Sequence, residues 1–163
     1  DRKGNGLILS KSIKMNTTLA NMSGISNGKV IDTDKEYAVA EEYRKKLKTK
    51  CPTVEQNVGN LSGGNQQKVL LAKWMFAEPD ILILDEPTRG IDVGAKYEIY
   101  CIINDLVAAG KSVIMISSEL PEVLGMSDRI YIMNEGRFVG EVSGEEATSE
   151  LIMSRIVKSG KGE

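Results

Sequence analysis

The first half of the chain places apolar residues three or four positions apart, with polar residues between them. This spacing predicts an amphipathic helix over residues 34–48, capped by Asp32 or Thr33, and a second helix over 65–77. Residues 10–32 are rich in Ser, Asn, Gly and Thr, a composition typical of a surface loop. We therefore expect this half to be helical, with one long loop ahead of the helices.

After residue 78 the pattern changes to short, continuous apolar runs. Residues 81–84 and 112–117 form two such runs, which predict strands buried on both faces of a parallel sheet. Between them a helix is predicted over 93–109, with apolar residues three or four apart at Val93, Tyr97, Tyr100, Ile103 and Val107. A strand, a helix and a second strand in this order predict an α/β domain with parallel central strands.

The last part of the chain has the pattern of a hairpin flanked by helices. The turn residues Asn134-Glu135-Gly136 lie between two apolar runs, which predict a β-hairpin with strands over 129–133 and 138–142. The other predicted elements are a short helix over 120–127, a last helix over 145–157 and a frayed tail over 159–162.

Composition excludes several kinds of function. The 163 residues are 41% hydrophobic and 27% charged, which is the balance of a folded globular chain. The net charge of −2 argues against a broad nucleic-acid surface. The sequence contains no His, which rules out a His general base and His-ligated metals. The two cysteines, Cys51 and Cys101, are expected to pack as free thiols in a reducing cytosol.

Two adjacent carboxylates, Asp85 and Glu86, follow the first predicted strand. In an open parallel sheet, the carboxyl ends of the strands border the ligand crevice. Like charges repel there unless a cation neutralises them. We therefore expect Asp85 to hold Mg²⁺ through water and Glu86 to polarise an attacking water. A solvated strand end is the alternative interpretation.

The second candidate is Ser62-Gly63-Gly64, which precedes the predicted helix 65–77. Two glycines allow a phosphate to approach the backbone, and the free amides at a helix start attract an anion. Ser62 adds a hydroxyl donor. The alternative is a capped helix that follows a flexible turn.

Together, these features resemble a known family. The sequences LSGGNQQ at 61–67, ILILDEP at 81–87 and TRGID at 88–92 resemble the signature motif, Walker B strand and D-loop of an ABC-type ATPase, a P-loop NTPase. The longer forms LSGGNQQK and LDEPTRGIDVGAK are similar to the second, C-terminal ATPase domain of bacterial ribose, galactose and xylose importers. Residues 1–7 and 117–130 match the same class.

The resemblance implies a role for each candidate residue in an ATPase that energises sugar import. Glu86 would be the general base and Asp85 the Mg²⁺-holding residue, while Ser118 stands where most of the family has a switch His. The signature would contact an ATP held by the partner domain. The implied signature and D-loop residues are Leu61, Ser62, Gly63, Gly64, Asn65, Gln66, Gly90, Ile91 and Asp92.

It also implies cofactors, partners and a location. ATP and Mg²⁺ would be the cofactors of the intact parent. The partners would be another ABC ATPase domain, membrane permease subunits and, indirectly, a periplasmic or extracellular sugar-binding protein, but no nucleic acid. The location would be peripheral, at the cytoplasmic face of the cell membrane.

One motif of the family, Walker A, is absent. Gly110-Lys111-Ser112 matches it only in part, with Asp105 at the first glycine position, and is expected to end a helix instead. We expect the C-terminal portion of one ABC ATPase domain, inactive alone, with a helical subdomain over about 10–77 and an α/β part over about 78–163. A soluble repair or translation ATPase and a non-catalytic assembly module are the alternatives. The first of these would usually bring a coiled-coil insertion or basic arm, and this sequence has neither.

Overall fold

The computed structural model describes residues 2–159, which divide into two compact units between Ile114 and Met115. The helices are α1 (Ile13–Thr18), α2 (Thr33–Lys46), α3 (Gly63–Phe76), α4 (Val93–Ala108), α5 (Leu120–Met126) and α6 (Ser149–Ser159). The strands are β1 (Ser26–Asn27), β2 (Val30–Ile31), β3 (Ile81–Asp85), β4 (Ser112–Ile116), β5 (Arg129–Asn134) and β6 (Arg137–Ser143). They pair as β1–β2, β3–β4 and β5–β6. The order β3–α4–β4 confirms the predicted α/β class with parallel strands.

The prediction of a surface loop over residues 10–32 is wrong. The segment contains α1, a 3₁₀ helix over Leu19–Ile25 and the short β1–β2 hairpin. Its polar side chains form hydrogen bonds within the protein. Ser12, for example, caps α1 by accepting a hydrogen bond from the Met15 amide at 3.1 Å. The fully buried Asn16 accepts from the Ile8 amide at 2.8 Å. A polar composition therefore marked caps and buried hydrogen bonds here rather than solvent exposure.

The predicted helices α2 and α3 are confirmed with shifted ends. The Asp32 carboxylate caps α2 by accepting hydrogen bonds from the second and third amides of that helix at 3.1 and 3.0 Å. Helix α3 begins at Gly63, two residues earlier than predicted, because Ser62 is its N-cap. These helices enclose a core formed by Leu7, Ile13, Ala40, Val54, Val58 and Val69.

The prediction that β3 and β4 are buried on both faces is wrong for the described residues. Leu82 and Leu84 are 8% and 7% exposed, whereas Ile81 and Ile83 are 59% and 63% exposed. Ile114 of β4 is likewise half exposed. Because successive side chains of a strand point to opposite faces, only one face of β3 is covered.

Helix α4 is confirmed, but Ile103 is the one apolar position used to predict it that belongs to its buried face. Val93 and Tyr97 are exposed, and the buried residues are Ile99, Ile102 and Ile103. At its end, Gly110 has φ +85° and donates its amide hydrogen to the Val107 carbonyl. The segment that partly matches Walker A is thus a helix end, as predicted.

The two thiols differ in their surroundings. Cys51 is half-buried against the core of the first unit, and burial raises the pKa of its thiol. Cys101 is exposed on α4, so the prediction that both thiols are packed is wrong for Cys101.

The second unit contains the predicted hairpin. Glu135 and Gly136 have φ values of +48° and +74°, as a two-residue type I′ turn requires, and Ile130 lies opposite Val142. Helix α6 begins four residues later than predicted, because the Thr148 hydroxyl accepts a hydrogen bond from an amide of its first turn at 3.1 Å. The core of this unit consists of Ile130, Ile132, Val142 and Ile152.

Two sequence predictions extend past the described residues. Residue 1 of the matching stretch 1–7 and residues 160–162 of the predicted tail lie outside them. Within residues 2–159, no helix is both long enough and apolar enough to span a bilayer.

Candidate functional site

Ser62 and the two glycines form the start of α3. Ser62 is exposed and has an extended backbone, with φ −61° and ψ 158°, and its side chain makes no capping hydrogen bond to the backbone of the helix that it begins. The first amide groups of a helix have no partner within it, and they carry the positive end of the helix dipole. The start of α3 can therefore offer an anion a hydroxyl together with backbone amides.

Gly64 has a packing role that the sequence did not indicate. A Cβ at this position would lie 2.5 Å from the Cβ of Ala95, which is inside any normal contact distance. Helices α3 and α4 thus approach closely at this pair. The sequence predicts that this glycine lets a phosphate approach the backbone; in the structure, its lack of a side chain lets a neighbouring helix approach.

The side-chain amide of Asn65 connects the start of α3 to the segment after α2. Its Oδ1 accepts a hydrogen bond from the Lys50 amide at 2.8 Å, and its Nδ2 donates to Ser62 Oγ at 2.9 Å. Asn65 is half-buried. It therefore holds the turn that presents Ser62.

Gln66 and Leu61 support the same turn from inside. The Gln66 side chain is 5% exposed, and its Nε2 donates to the carbonyls of Val58 and Leu61 at 3.3 and 3.2 Å. Its buried Oε1 has no hydrogen-bond partner. Leu61 packs against the core of the first unit. Both residues were predicted to bind nucleotide, and the structure places both side chains at least partly inside the protein.

Asp85 and Glu86 lie at the carboxyl end of β3. They line a pocket of about 870 Å³ together with Gln67, Trp74 and Arg89. Glu86 has φ +48°, a left-handed conformation that non-glycine residues rarely adopt. Such strain costs on the order of 1–3 kcal/mol and is concentrated at functional sites. The two carboxylates thus lie beside a cavity of the first unit.

These carboxylates fit Mg²⁺ only with help from a ligand. The described residues contain no cluster of three or more side chains that could hold a metal ion by themselves. Mg²⁺ is commonly bound by one or two carboxylates, with water and substrate phosphates completing its coordination. Asp85 and Glu86 supply oxygen donors of this kind, so their chemistry suits an ion that arrives with a nucleotide.

The predicted D-loop residues lead into α4. Gly90 has φ +71°, Ile91 is half-buried, and Asp92 caps α4 by accepting a hydrogen bond from the Ala95 amide at 2.9 Å. Asp92 also lines a second pocket of about 270 Å³ with Ser62 and with Gly64 and Asn65 of the signature. The structure therefore brings the signature and Asp92 together, whereas Asp85 and Glu86 line the other pocket.

Sequence reasoning missed an ion pair next to the signature, between the buried Lys68 and the exposed Glu98. The Lys68 side chain is 2% exposed, and its Nζ lies 2.8 Å from Glu98 Oε2 and donates to the Lys48 carbonyl at 3.0 Å. The hydrogen bond from Lys68 lowers the pKa of Glu98. Lys68 follows Gly64 by one turn of α3, and Glu98 follows Ala95 by about one turn of α4. The signal for this ion pair that was available in the sequence is Lys68, a charged residue one helical turn after Gly64.

Ser118 belongs to the second unit and lies exposed in the bend before α5. Next to it, the Ser117 hydroxyl donates to the carboxylate of Glu122, which is 4% exposed. Ser117 Oγ also accepts from the Glu119 amide at 3.0 Å. The bend that carries Ser118 is thus organised by its neighbours.

Comparison with known proteins identifies the fold and the family of this chain. Over 99% of the chain, the fold matches a crystal structure of an ATP-binding cassette of an ABC transporter, with a TM-score of 0.79, 20% identity and 67% of that chain covered. Residues 4–89 match the family model described as ABC transporter. The fold is therefore that of an ATP-binding cassette, and the chain belongs to the ABC transporter family.

Relatives of known name are much more similar in sequence. The chain is 63% identical over 159 residues to the L-arabinose transport ATP-binding protein AraG of Geobacillus stearothermophilus, covering 98% of this chain and 31% of that protein. It is 57% identical over 154 residues to the xylose import ATP-binding protein XylG of Geobacillus kaustophilus, covering 94% and 31%. The chain thus spans about a third of the length of these relatives.

Proposed function

We propose that this chain is the C-terminal portion of the second ATP-binding domain of a bacterial sugar-importer ATPase. The observation that carries the proposal is the pocket in which Ser62, Gly64 and Asn65 meet Asp92, apart from the pocket of Asp85 and Glu86. Two separate sites on one domain suit an ATPase in which the signature serves a nucleotide held by a partner domain. The names of the relatives support sugar import.

The exposed apolar face of β3 supports the proposal that this is part of a larger domain. Ile81 and Ile83 are 59% and 63% exposed, and Trp74 beside the larger pocket is 44% exposed. Apolar side chains gathered on one surface favour a covering partner. Within the proposed domain, we assign residues from about 10 to 77 to a helical subdomain and those from about 78 to 163 to the α/β part.

In the intact protein, each site residue has a distinct task. Ser62 donates its hydroxyl to a phosphate oxygen of the partner's ATP, and the α3 amides add positive potential. Glu86 accepts a proton from the attacking water, and Asp85 holds Mg²⁺ through water. The metal supplies charge neutralisation at the phosphates. Gly90, Ile91 and Asp92 form the D-loop, and Ser118, in the switch position, cannot supply the charged contact that His makes.

The proposed partners follow from this assignment. They are a second ABC ATPase domain, the permease subunits of an importer and, through the permease, a sugar-binding protein outside the membrane. The location is the cytoplasmic face of the cell membrane.

Ser62→Arg in the full-length protein tests the proposal. The bulky cation fills the space that the partner's phosphate needs, so we expect ATP turnover to fall by at least about tenfold, as it does when an oxyanion donor is lost. Because Ser62 is exposed, the thermal unfolding temperature should stay close to that of the wild type. Turnover at the wild-type rate contradicts the role given to the signature.

A further inference from the structure

The hydrogen bonds of Asn65 have only one possible orientation. The Lys50 backbone amide can only donate, so the side-chain oxygen of Asn65 must face it, at 2.8 Å. The planar amide group then turns its NH₂ toward Ser62, whose Oγ accepts at 2.9 Å. The direction of the second hydrogen bond is therefore set by the first.

This direction determines what the Ser62 hydroxyl can do. Its oxygen accepts the hydrogen bond from Asn65, and the side chain makes no capping hydrogen bond to the backbone amides of α3. A hydroxyl carries one proton to donate, and the hydrogen bond that it accepts from Asn65 does not use this proton. The proton thus stays available for an acceptor in the pocket that Ser62 and Asn65 both line.

The segment that carries the Lys50 amide is anchored by the buried Lys68. Two residues earlier, the Lys48 carbonyl accepts from Lys68 Nζ at 3.0 Å, and Lys68 is paired with Glu98 at 2.8 Å. Because Lys68 is 2% exposed, this anchor lies inside the protein. A fixed segment therefore sets the position of Asn65, and Asn65 sets that of Ser62.

We propose that Asn65 is a positioning residue that keeps the Ser62 hydroxyl oriented as a donor to a phosphate oxygen of a nucleoside triphosphate. The inference rests on the proposed function, in which Ser62 meets that phosphate. The amide acts through Ser62 and needs no contact with the ligand. A carboxylate of the same shape has the opposite effect on Ser62, because its second oxygen accepts a hydrogen bond from the hydroxyl and so turns the hydroxyl proton away from the ligand.

The test is a double-mutant cycle in the full-length ATPase that contains this chain. Steady-state kcat and KM for ATP are measured for the wild type, Ser62→Ala, Asn65→Asp and the double variant. Asn104→Asp is the matched control, because Asn104 is exposed on α4 and the change adds the same charge. We expect this control to keep the wild-type kcat.

In the cycle, Asn65→Asp should lower kcat at least about fivefold more in the wild-type background than in the Ser62→Ala background. Charge repulsion and any defect in folding act in both backgrounds, whereas the hydroxyl is present in only one. Equal losses in the two backgrounds overturn the positioning role of Asn65 and leave the proposed function intact. A wild-type kcat for Ser62→Ala overturns both.

Discussion

Replacing Gly64 with Ala tests how closely α3 and α4 must approach at the signature. The added Cβ would lie 2.5 Å from the Cβ of Ala95, whereas ordinary contacts begin at 3.4 Å. The helices would therefore have to separate by about 1 Å at this crossing. The ion pair between Lys68 and Glu98, one turn further along, would be stretched by the same movement.

Two opposing effects determine how much stability Gly64→Ala loses. Overpacking a close contact costs about 1–3 kcal/mol, and replacing Gly with Ala in a helix returns at most about 1 kcal/mol. We expect Gly64→Ala to lower the free energy of unfolding by about 1–2 kcal/mol. For a chain of this length, each kcal/mol lowers the unfolding temperature by about 2–4 °C.

A second substitution isolates the cause. With Ala95→Gly, the nearest remaining atom of residue 95 would be its Cα, 3.8 Å from the new Cβ, which is a normal contact. Ala95→Gly alone should cost about 0.5–1 kcal/mol through helix propensity. The double variant should then be more stable than the sum of the single losses predicts, by at least about 1 kcal/mol.

Urea unfolding followed by circular dichroism measures all four proteins. Gly64→Ala with wild-type stability would refute the close approach of the helices. Additive losses in the double variant would show that the clash is not with Ala95.

Three further predictions concern the ion pair and the carboxylates. Glu98→Ala removes the counter-ion of the Lys68 ammonium, which is 2% exposed and keeps its hydrogen bond to the Lys48 carbonyl. We expect this change to lower the free energy of unfolding, measured in urea, by about 2 kcal/mol. Because Lys68 lowers the pKa of Glu98 from 4.5, the stability from this pair is present above pH 4.5 and lost as the pH falls through the lower folded pKa. Glu98→Gln should therefore reduce the loss of stability in acid, as thermal unfolding at pH 3 and pH 6 can measure. We propose that Ser118, in place of a switch His, makes this site the weaker of two. In the full-length protein, Glu86→Gln should then lower steady-state ATP turnover less than the equivalent change in the partner domain, and equal losses in the two variants contradict this proposal.

Elements with local signals could be predicted from the sequence. Asp32 caps α2, Gly110 ends α4 with φ +85°, and Glu135-Gly136 forms the hairpin turn. Each signal depends on residues within about four positions, so it can be read without knowing the fold. The caps that were missed, Ser12 and Thr148, are equally local, and they were hidden in segments whose composition suggested a loop or a continuing helix.

Burial could not be predicted in the same way. Ile83 and Leu84 are adjacent and similarly apolar, yet one is 63% exposed and the other 7%. Exposure depends on which element packs against each face, and an apolar run carries no information about that. The same limit applies to Val93 and Tyr97 of α4, which fit the helical spacing but lie on its exposed side.

The candidate site depends both on local sequence motifs, which could be predicted, and on packing between helices, which could not. Ser62 and Asp85 could be found because their motifs are continuous in sequence, and the order of these motifs identified the family. The contacts that shape the signature turn are not continuous, since Gly64 meets Ala95 and Lys68 meets Glu98 across two helices. A substitution at any of these four positions can change the geometry of Ser62 without removing a group that touches the ligand. Loss of turnover in such variants should therefore be accompanied by loss of stability, whereas Ser62 variants should separate the two.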